Sequence, residues 1–275
     1  SPMRLPALLV TATLVLPAFA HAGDRHLFIL SGQSNMAGLK PENAFLPELK
    51  KLLPDADIQH VKFAKGGQPI RKWVKNFDEI AKKNKLPAKN DPGAFYDEVL
   101  KQARGAIAKG KPKTITFFWM QGERDAKENL SAAYEESMKT LIANLRKDLD
   151  APEMAFVIGR LSDFSTSKHW EAVRAAQVKV ANDDPRGSWV DTDDTNDKEK
   201  NGKKHNDLHY TKAGYDLFGQ RLARQAVRMT KGGTPDPKGK PAEAAAGPGE
   251  SRRAAVSVPL SGVPPLALLS LAPTC

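Results

Sequence analysis

Short apolar runs alternate with longer amphipathic runs through most of the chain, and this alternation constrains the fold more than any other feature. The short runs have apolar residues at consecutive positions, which is typical of strands buried on both faces of a parallel sheet. They predict five strands, at Leu27–Leu30, Ile58–Phe63, Thr114–Met120, Phe156–Leu161 and Trp189–Asp191. The predicted fold class is therefore α/β, a three-layer α/β/α sandwich around a five-stranded parallel sheet.

The longer runs predict helices. The clearest has apolar residues spaced three and four apart from Leu130 to Leu149. Three others are predicted at Asp97–Lys109, Lys168–Ala181 and Thr211–Met229, with Thr211 as an N-cap. In a sheet of this kind the ligand site lies beyond the carboxyl ends of the strands, so reactive residues are expected directly after strands.

Residues 1–22 have the features of a secretory signal peptide. Arg4 precedes an uncharged apolar stretch, and the sequence AHA at 20–22 fits a small-x-small cleavage site. The apolar stretch is shorter than the ~20 residues that a membrane span needs. We therefore expect a secreted or periplasmic protein that begins near Gly23 and has no stable membrane span after signal removal.

Residues 232–275 are rich in Pro, Gly and Ala and are predicted to form a flexible tail, since few large apolar side chains are present to offset the entropy of ordering. The tail ends in an apolar stretch, but its four prolines make it a poor membrane helix. The remaining residues, 23–231, are predicted to form one folded domain.

Charge and cysteine content limit the possible chemistry. The net charge is +10, of which about +8 falls in residues 23–231, so the charge favours polyanionic partners. No nucleic-acid recognition motif accompanies it, and no nucleic-acid partner is expected. The single cysteine, Cys275, rules out an intrachain disulfide, and catalysis is expected from oxygen and imidazole groups.

Ser34 is the candidate nucleophile. It lies in the segment SGQSNMAG (31–38), where the first strand is expected to turn into a helix and expose the hydroxyl. A helix N-cap is the alternative role for a serine at this place. The segment does not fit the G-x-S-x-G elbow, because Met36 occupies the last glycine position, and this argues against the α/β-hydrolase fold.

Two further segments follow strands and could supply hydrogen-bond donors for an oxyanion. Gly66 and Gly67 follow the second strand, where glycine lets the backbone approach a ligand closely, although a tight turn is the simpler interpretation. Gln121 ends the third strand and could donate its side-chain amide. Glu123 could orient Gln121 or form a structural ion pair with Arg124.

The candidate base is His209, at the start of the last predicted helix and two residues after Asp207. A serine nucleophile needs a histidine base and a carboxylate that fixes the histidine tautomer. His205 and His209 are four residues apart, but they lie in a predicted loop without further ligands, so no metal is expected.

These blocks, in this order, resemble the SGNH hydrolase superfamily, and within it the sialate O-acetylesterase-like carbohydrate esterases of the family six type. The similar segments are GQSNMAG (32–38), AKGGQPIRKW (64–73) and WMQGERDA (119–126), and the likeness spans roughly residues 27–226. The resemblance implies the flavodoxin-like SGNH fold and removal of O-acetyl groups from carbohydrates without a cofactor. It also implies Ser34 as nucleophile, His209 as base, and the Ser34 and Gly66 amides with the Gln121 side chain as oxyanion donors.

The acid of the triad departs from the family pattern, which places Asp three residues before the histidine. Asn206 stands there, so Asp207 is the expected acid, with Glu123 or a Ser-His dyad as alternatives. A catalytically weakened glycan-binding protein and an esterase acting on lipid or aryl esters are alternative functions. The expected substrate is an acetylated carbohydrate, and the charge makes an acidic polysaccharide attractive.

Overall fold

Five parallel strands form the central sheet of the protein. The computed structural model describes residues 23–88, 90–200 and 202–239. The strands stand in the order β2-β1-β3-β4-β5, which confirms the predicted five-stranded parallel sheet. Their bounds are β1 Arg25–Gly32, β2 Asp57–Ala64, β3 Thr114–Met120, β4 Ala155–Gly159 and β5 Gly187–Val190.

The four predicted helices are confirmed, and shorter helices join them. The Thr211 side chain caps the last helix by accepting a hydrogen bond from the Gly214 amide at 2.9 Å. The short segments were not predicted because they are too brief to show a complete apolar stripe. The helices are α1 Ser34–Gly38, α2 Phe45–Leu52, α3 Phe77–Lys83, α4 Tyr96–Ala108, α5 Glu123–Lys127, α6 Ser131–Asp148, α7 Lys168–Asp183 and α8 Lys212–Thr230, with a 3-10 turn at Ile70–Trp73.

Side chains of β3 alternate between the two helical layers. Trp119 points to one face, where its indole donates to the Tyr134 hydroxyl of α6 at 3.1 Å. Phe118 points to the other face and meets Phe45 of α2 edge to face, with 5.2 Å between ring centroids. Both layers therefore bury aromatic residues against the sheet, as a strand covered on both faces requires.

Two features of the fold were not expected from the sequence. An antiparallel hairpin, β6 Asp197–Lys200 and β7 Lys203–Asn206, lies between β5 and α8. Residues 236–239 also pack onto the domain. The Pro237 carbonyl accepts from the Asp191 amide at 2.8 Å, and the Gly239 carbonyl accepts from Arg224 at 3.0 Å. The folded part thus extends to Gly239, eight residues beyond the expected boundary at 231, because these backbone groups find partners on the residue after β5 and on α8.

Other sequence expectations fall outside the described residues. The predicted signal peptide at 1–22 lies there, as does the predicted tail from residue 240 onward. Within the ranges that the structure describes, no helix combines the length and apolar composition needed to cross a membrane.

Candidate functional site

Ser34 lies at the carboxyl edge of the sheet, directly after β1. The Gln33 amide donates to the Met120 carbonyl at 2.9 Å, and the Lys65 amide donates to the Gly32 carbonyl at 3.0 Å, so the ends of β3 and β2 are joined to β1 here. Ser34 is the first residue of α1 and is half-buried, while Gln33 occupies the N-cap position. The hydroxyl of Ser34 is therefore not used as a helix cap.

A glycine is required just before this turn. Gly32 has a φ of +143°, and a Cβ at this position would lie 2.0 Å from the Met120 carbonyl oxygen. Glycine thus lets β1 and β3 close together beneath Ser34.

Asn35 fixes the loop that carries His209. Its side-chain nitrogen donates to the Leu208 carbonyl at 3.1 Å, and its oxygen accepts from the Tyr210 amide at 3.3 Å. The oxygen also accepts from the Tyr215 hydroxyl at 3.2 Å. Asn35 is 1% exposed, so these bonds are shielded from water. The residue next to Ser34 therefore holds the residues on either side of His209.

Ser34 and His209 line one cavity of about 470 Å³. Among the described side chains no hydrogen bond joins the two, and such pairs often tighten only when substrate binds. A larger cavity, of about 660 Å³, lies at the amino ends of β3 and β4 and contains none of the expected site residues. We assign the site to the smaller cavity because it alone of the two lies at the carboxyl ends of the strands.

The glycine pair that follows β2 lies beside Ser34. A Cβ placed on Gly66 would be 3.8 Å from the Cβ of Ser34, and Gly67 lines the cavity with a φ of +67°. The structure thus brings the expected oxyanion loop and the expected nucleophile together.

Gln121 lies behind the cavity wall, and its expected donation to an oxyanion does not match this geometry. The side chain is fully buried, and its nitrogen donates to Asp125 at 2.5 Å, to the Gln68 carbonyl at 3.1 Å and to Gln33 at 3.2 Å. An amide nitrogen has only two hydrogens, and acceptors of the interior already surround it. Through Gln68 and Gln33, Gln121 instead holds the residues next to Gly67 and Ser34.

Two buried carboxyl groups lie beneath the site. Asp125 accepts from the Ile70 amide at 2.9 Å, and Glu123 accepts from Asn35 at 3.0 Å. Burial raises the pKa of both carboxyls to about 7, although their hydrogen bonds act in the opposite direction. Glu123 lines the cavity and makes its polar contact with Asn35, while Arg124 pairs with Glu128 at 2.6 Å.

Asp207, the expected acid, contacts the backbone of His209. One carboxylate oxygen accepts from the His209 amide at 3.3 Å, and the other binds Lys198 of β6 at 2.5 Å. The Lys198 ammonium holds the pKa of this carboxyl below its usual range. Within the described residues no hydrogen bond joins Asp207 to the imidazole. The β6–β7 hairpin therefore places the carboxylate against a lysine, which differs from the contact expected of a triad acid.

Asn206, at the position where the family pattern has Asp, turns away from His209. Its side chain donates to Asp163 at 2.9 Å and so links the hairpin to the loop after β4. His205 lies on β7, apart from the cavity lining. Across the described residues no group of three or more His, Cys, Asp or Glu side chains could hold a metal ion.

A family model of carbohydrate esterases, described as sialic acid-specific acetylesterases, matches residues 37–228. The chain belongs to this family. The match covers more than half of the sequence and confirms the resemblance drawn from the three sequence blocks. The protein is thus a carbohydrate O-acetylesterase by family. A comparison with curated proteins found no match.

Two solved structures share the fold of this esterase. A protein of Arabidopsis thaliana is 23% identical, with a TM-score of 0.54, and the match covers 74% of this chain and 97% of that one. A carbohydrate acetylesterase from Xanthomonas citri is 18% identical, with a TM-score of 0.55, and the match covers 75% of this chain but 56% of that one.

Sequence reasoning did not single out Asn35 and Asp125, which bond to residues of the site, or Phe164, which lines the cavity. Asn35 and Asp125 lie within the matched blocks GQSNMAG and WMQGERDA, so their position beside site residues was a usable signal. Phe164 lines the cavity from the loop after β4, and the sequence around it carries no comparable signal.

Proposed function

We propose that the esterase removes O-acetyl groups from carbohydrates by two-step acyl transfer, with Ser34 as nucleophile and His209 as base. The observation that carries this proposal is the shared cavity: Ser34 and His209 line it although 175 residues separate them in sequence. The Asn35 side chain, which bonds on both sides of His209, supports the pairing.

In the first step, His209 takes the Ser34 proton while the Ser34 oxygen attacks the acetyl carbonyl. The carbonyl oxygen gains negative charge, and the amides of Ser34 and Gly66 stabilise it, each by roughly 3 kcal/mol. The carbon–oxygen bond to the sugar breaks, and His209 gives the proton to the departing sugar oxygen, which leaves as a hydroxyl. Water then attacks the acetyl-Ser34 ester while His209 takes its proton. The bond from the acetyl carbon to Ser34 breaks, His209 returns the proton to the Ser34 oxygen, and acetate is released.

Asp207 is a positioning residue in this proposal. Its bond to the His209 amide and its ion pair with Lys198 fix the main chain that carries the imidazole. Glu123 contacts Asn35, which bonds to the carbonyl of Leu208, and therefore supports the same loop from below.

The test replaces Ser34 and a matched serine of the same cavity. Ser34→Ala should lower kcat for acetate release from an acetylated glycan by at least about 10³-fold and abolish labelling by a serine-reactive phosphonate. Ser165 also lines the cavity, and Ser165→Ala should leave labelling intact. Turnover or labelling retained by Ser34→Ala would contradict the assignment of the nucleophile.

We further propose that the substrate is an acidic acetylated polysaccharide. Arg124 and Lys127 of α5 both line the cavity, and within the described residues Lys127 has no carboxylate partner. A free cation at the cavity wall favours an anionic sugar. Wild-type KM for an acetylated acidic glycan should rise with salt more steeply than KM for a neutral one, and Lys127→Met should remove the difference.

Secretion or periplasmic export is also proposed, from the charge, apolar stretch and small-x-small pattern of residues 1–22. Expression of the full chain in a bacterial host should give a mature protein that starts at Gly23. Intact-mass measurement of the exported fraction would show this cleavage, and an uncleaved cytoplasmic product would contradict it.

A further inference from the structure

Phe164 is exposed at the edge of the cavity that Ser34 and His209 line. It is 42% exposed, and no other large hydrophobic side chain in the described part of the chain is as open to solvent. Leaving an aromatic ring in water forgoes its burial energy, and an exposed ring in a cavity that also holds polar groups is typical of a ligand contact.

The Phe164 ring is held in place by packing against a neighbouring side chain. It packs against Trp170 of α7, with 5.6 Å between ring centroids and an interplanar angle of 57°. Trp170 is itself fixed, because its indole donates to the Ser162 carbonyl at 2.8 Å and it is 5% exposed. Phe164 thus packs against a buried partner on one side.

The loop that carries Phe164, residues 162–167, is anchored on both sides. Asp163 accepts from Asn206 of β7 at 2.9 Å, and the Ser167 hydroxyl caps α7 by accepting from the Trp170 amide at 3.3 Å. Arg174 also donates to the Leu161 carbonyl, just before the loop, at 2.6 Å. A ring positioned in advance loses little side-chain entropy when a ligand covers it.

We propose that Phe164 is a specificity-determining residue that stacks against the pyranose ring bearing the acetyl group. This inference rests on the proposed function, since the acetyl carbon must reach Ser34 while the sugar ring covers Phe164. The occupant is a sugar because the chain is a carbohydrate esterase by family and because the ring and Ser34 border one continuous cavity. A pyranose presents a face of C–H groups that packs against an aromatic ring, while its hydroxyls stay toward water.

The test compares two acetate esters on the full protein. A mono-O-acetylated methyl xylopyranoside carries the sugar ring, and ethyl acetate carries none. Phe164→Ala should raise KM for the pyranoside about tenfold, as expected for loss of an aromatic contact, while kcat changes little. Its kcat/KM for ethyl acetate should stay within about twofold of wild type, because the acetyl group and Ser34 are unaffected.

Two variants control for damage to the loop. Phe164→Tyr keeps the ring and should restore KM for the pyranoside to within about threefold of wild type. Thr166→Ala alters the same loop at an exposed residue outside the cavity lining and should leave both esters unaffected. An unchanged pyranoside KM in Phe164→Ala, or equal losses on both esters, would overturn the inference.

A binding measurement separates this inference from the esterase mechanism. In a Ser34→Ala background the acetylated pyranoside binds without turnover, and calorimetry measures its Kd. Adding Phe164→Ala should weaken binding about tenfold, whether or not the wild type hydrolyses the ester. If wild type hydrolyses neither ester, the proposed mechanism fails while the binding result still decides the stacking contact. An unchanged Kd refutes the stacking contact.

Discussion

Asn35 offers the sharpest test of how the site is assembled, because one buried side chain joins the Ser34 turn to the His209 loop. Its four hydrogen bonds go to Glu123, Leu208, Tyr210 and Tyr215 at 3.0–3.3 Å. Asn35→Ala removes all four and leaves the Glu123 oxygen and the Tyr210 amide buried without this partner.

The expected loss of stability follows from those groups. Leaving a buried polar group unsatisfied costs about 1–3 kcal/mol, so two such groups predict a loss of about 2–6 kcal/mol in the free energy of unfolding. The His209 loop is then held less firmly against Ser34. A displacement of about 1 Å in a catalytic group lowers the rate about 100-fold, and we expect kcat to fall by that factor.

The assay combines urea unfolding with acetate release from an acetylated glycan at a temperature where the variant remains folded. Asn84→Ala is the control, because Asn84 donates to the Ile80 carbonyl at 2.9 Å at the end of α3, outside the cavity lining. It should cost about 1 kcal/mol and leave kcat unchanged. This comparison separates general destabilisation from loss of His209 positioning.

Asn35→Asp tests the direction in which stability changes with pH. The new carboxyl still accepts from Tyr210 but faces Glu123, whose pKa is raised to about 7 by burial. At low pH a protonated Glu123 can donate to the new carboxylate, whereas at high pH two negative charges meet. The variant should therefore be more stable, relative to wild type, at pH 5 than at pH 8. Equal losses at both pH values, or a kcat for Asn35→Ala within threefold of wild type, would refute the reasoning.

Three further predictions concern Asp207, Glu123 and Gly32. Asp207→Asn should lower kcat less than about tenfold, because Asp207 contacts the His209 backbone and Lys198. Loss of a triad acid would instead lower kcat about 10⁴-fold, and the measured rate of acetate release distinguishes the two roles. The pKa of Glu123 is raised to about 7, so the folded state binds a proton that the unfolded state releases near pH 4.5, and stability falls as the pH rises between these values. Urea titrations at a series of pH values measure this decline in the free energy of unfolding, and Glu123→Gln should remove about 3 kcal/mol of it. An unchanged dependence of the free energy of unfolding on pH would contradict the protonation assigned to Glu123. Gly32→Ala should prevent folding or cost more than about 3 kcal/mol, because its Cβ would overlap the β3 backbone; a native circular dichroism spectrum with unchanged Tm would count against this.

Much of the architecture could be predicted from local patterns. Thr114–Met120 was predicted with the bounds that the structure shows, and the strand at 156–161 is shifted by one or two residues, to Ala155–Gly159. These strands are recognisable because a buried parallel strand needs apolar residues on both faces, so consecutive positions in the sequence are apolar. The β6–β7 hairpin has no such pattern, since its residues are charged and polar.

In the site, too, some features follow from local sequence and others from tertiary contacts. The sequence by itself determined the sheet, the family and the places of Ser34 after β1, Gly66 after β2 and His209 before α8. The partners of the polar side chains were decided by tertiary structure, which turned Gln121 inward to Asp125 and set Asp207 against Lys198. A polar side chain bonds to whichever group the fold brings within about 3 Å, and such groups can be far apart in the chain. The Asn35–Leu208 bond spans 173 residues, so no local pattern could have predicted it.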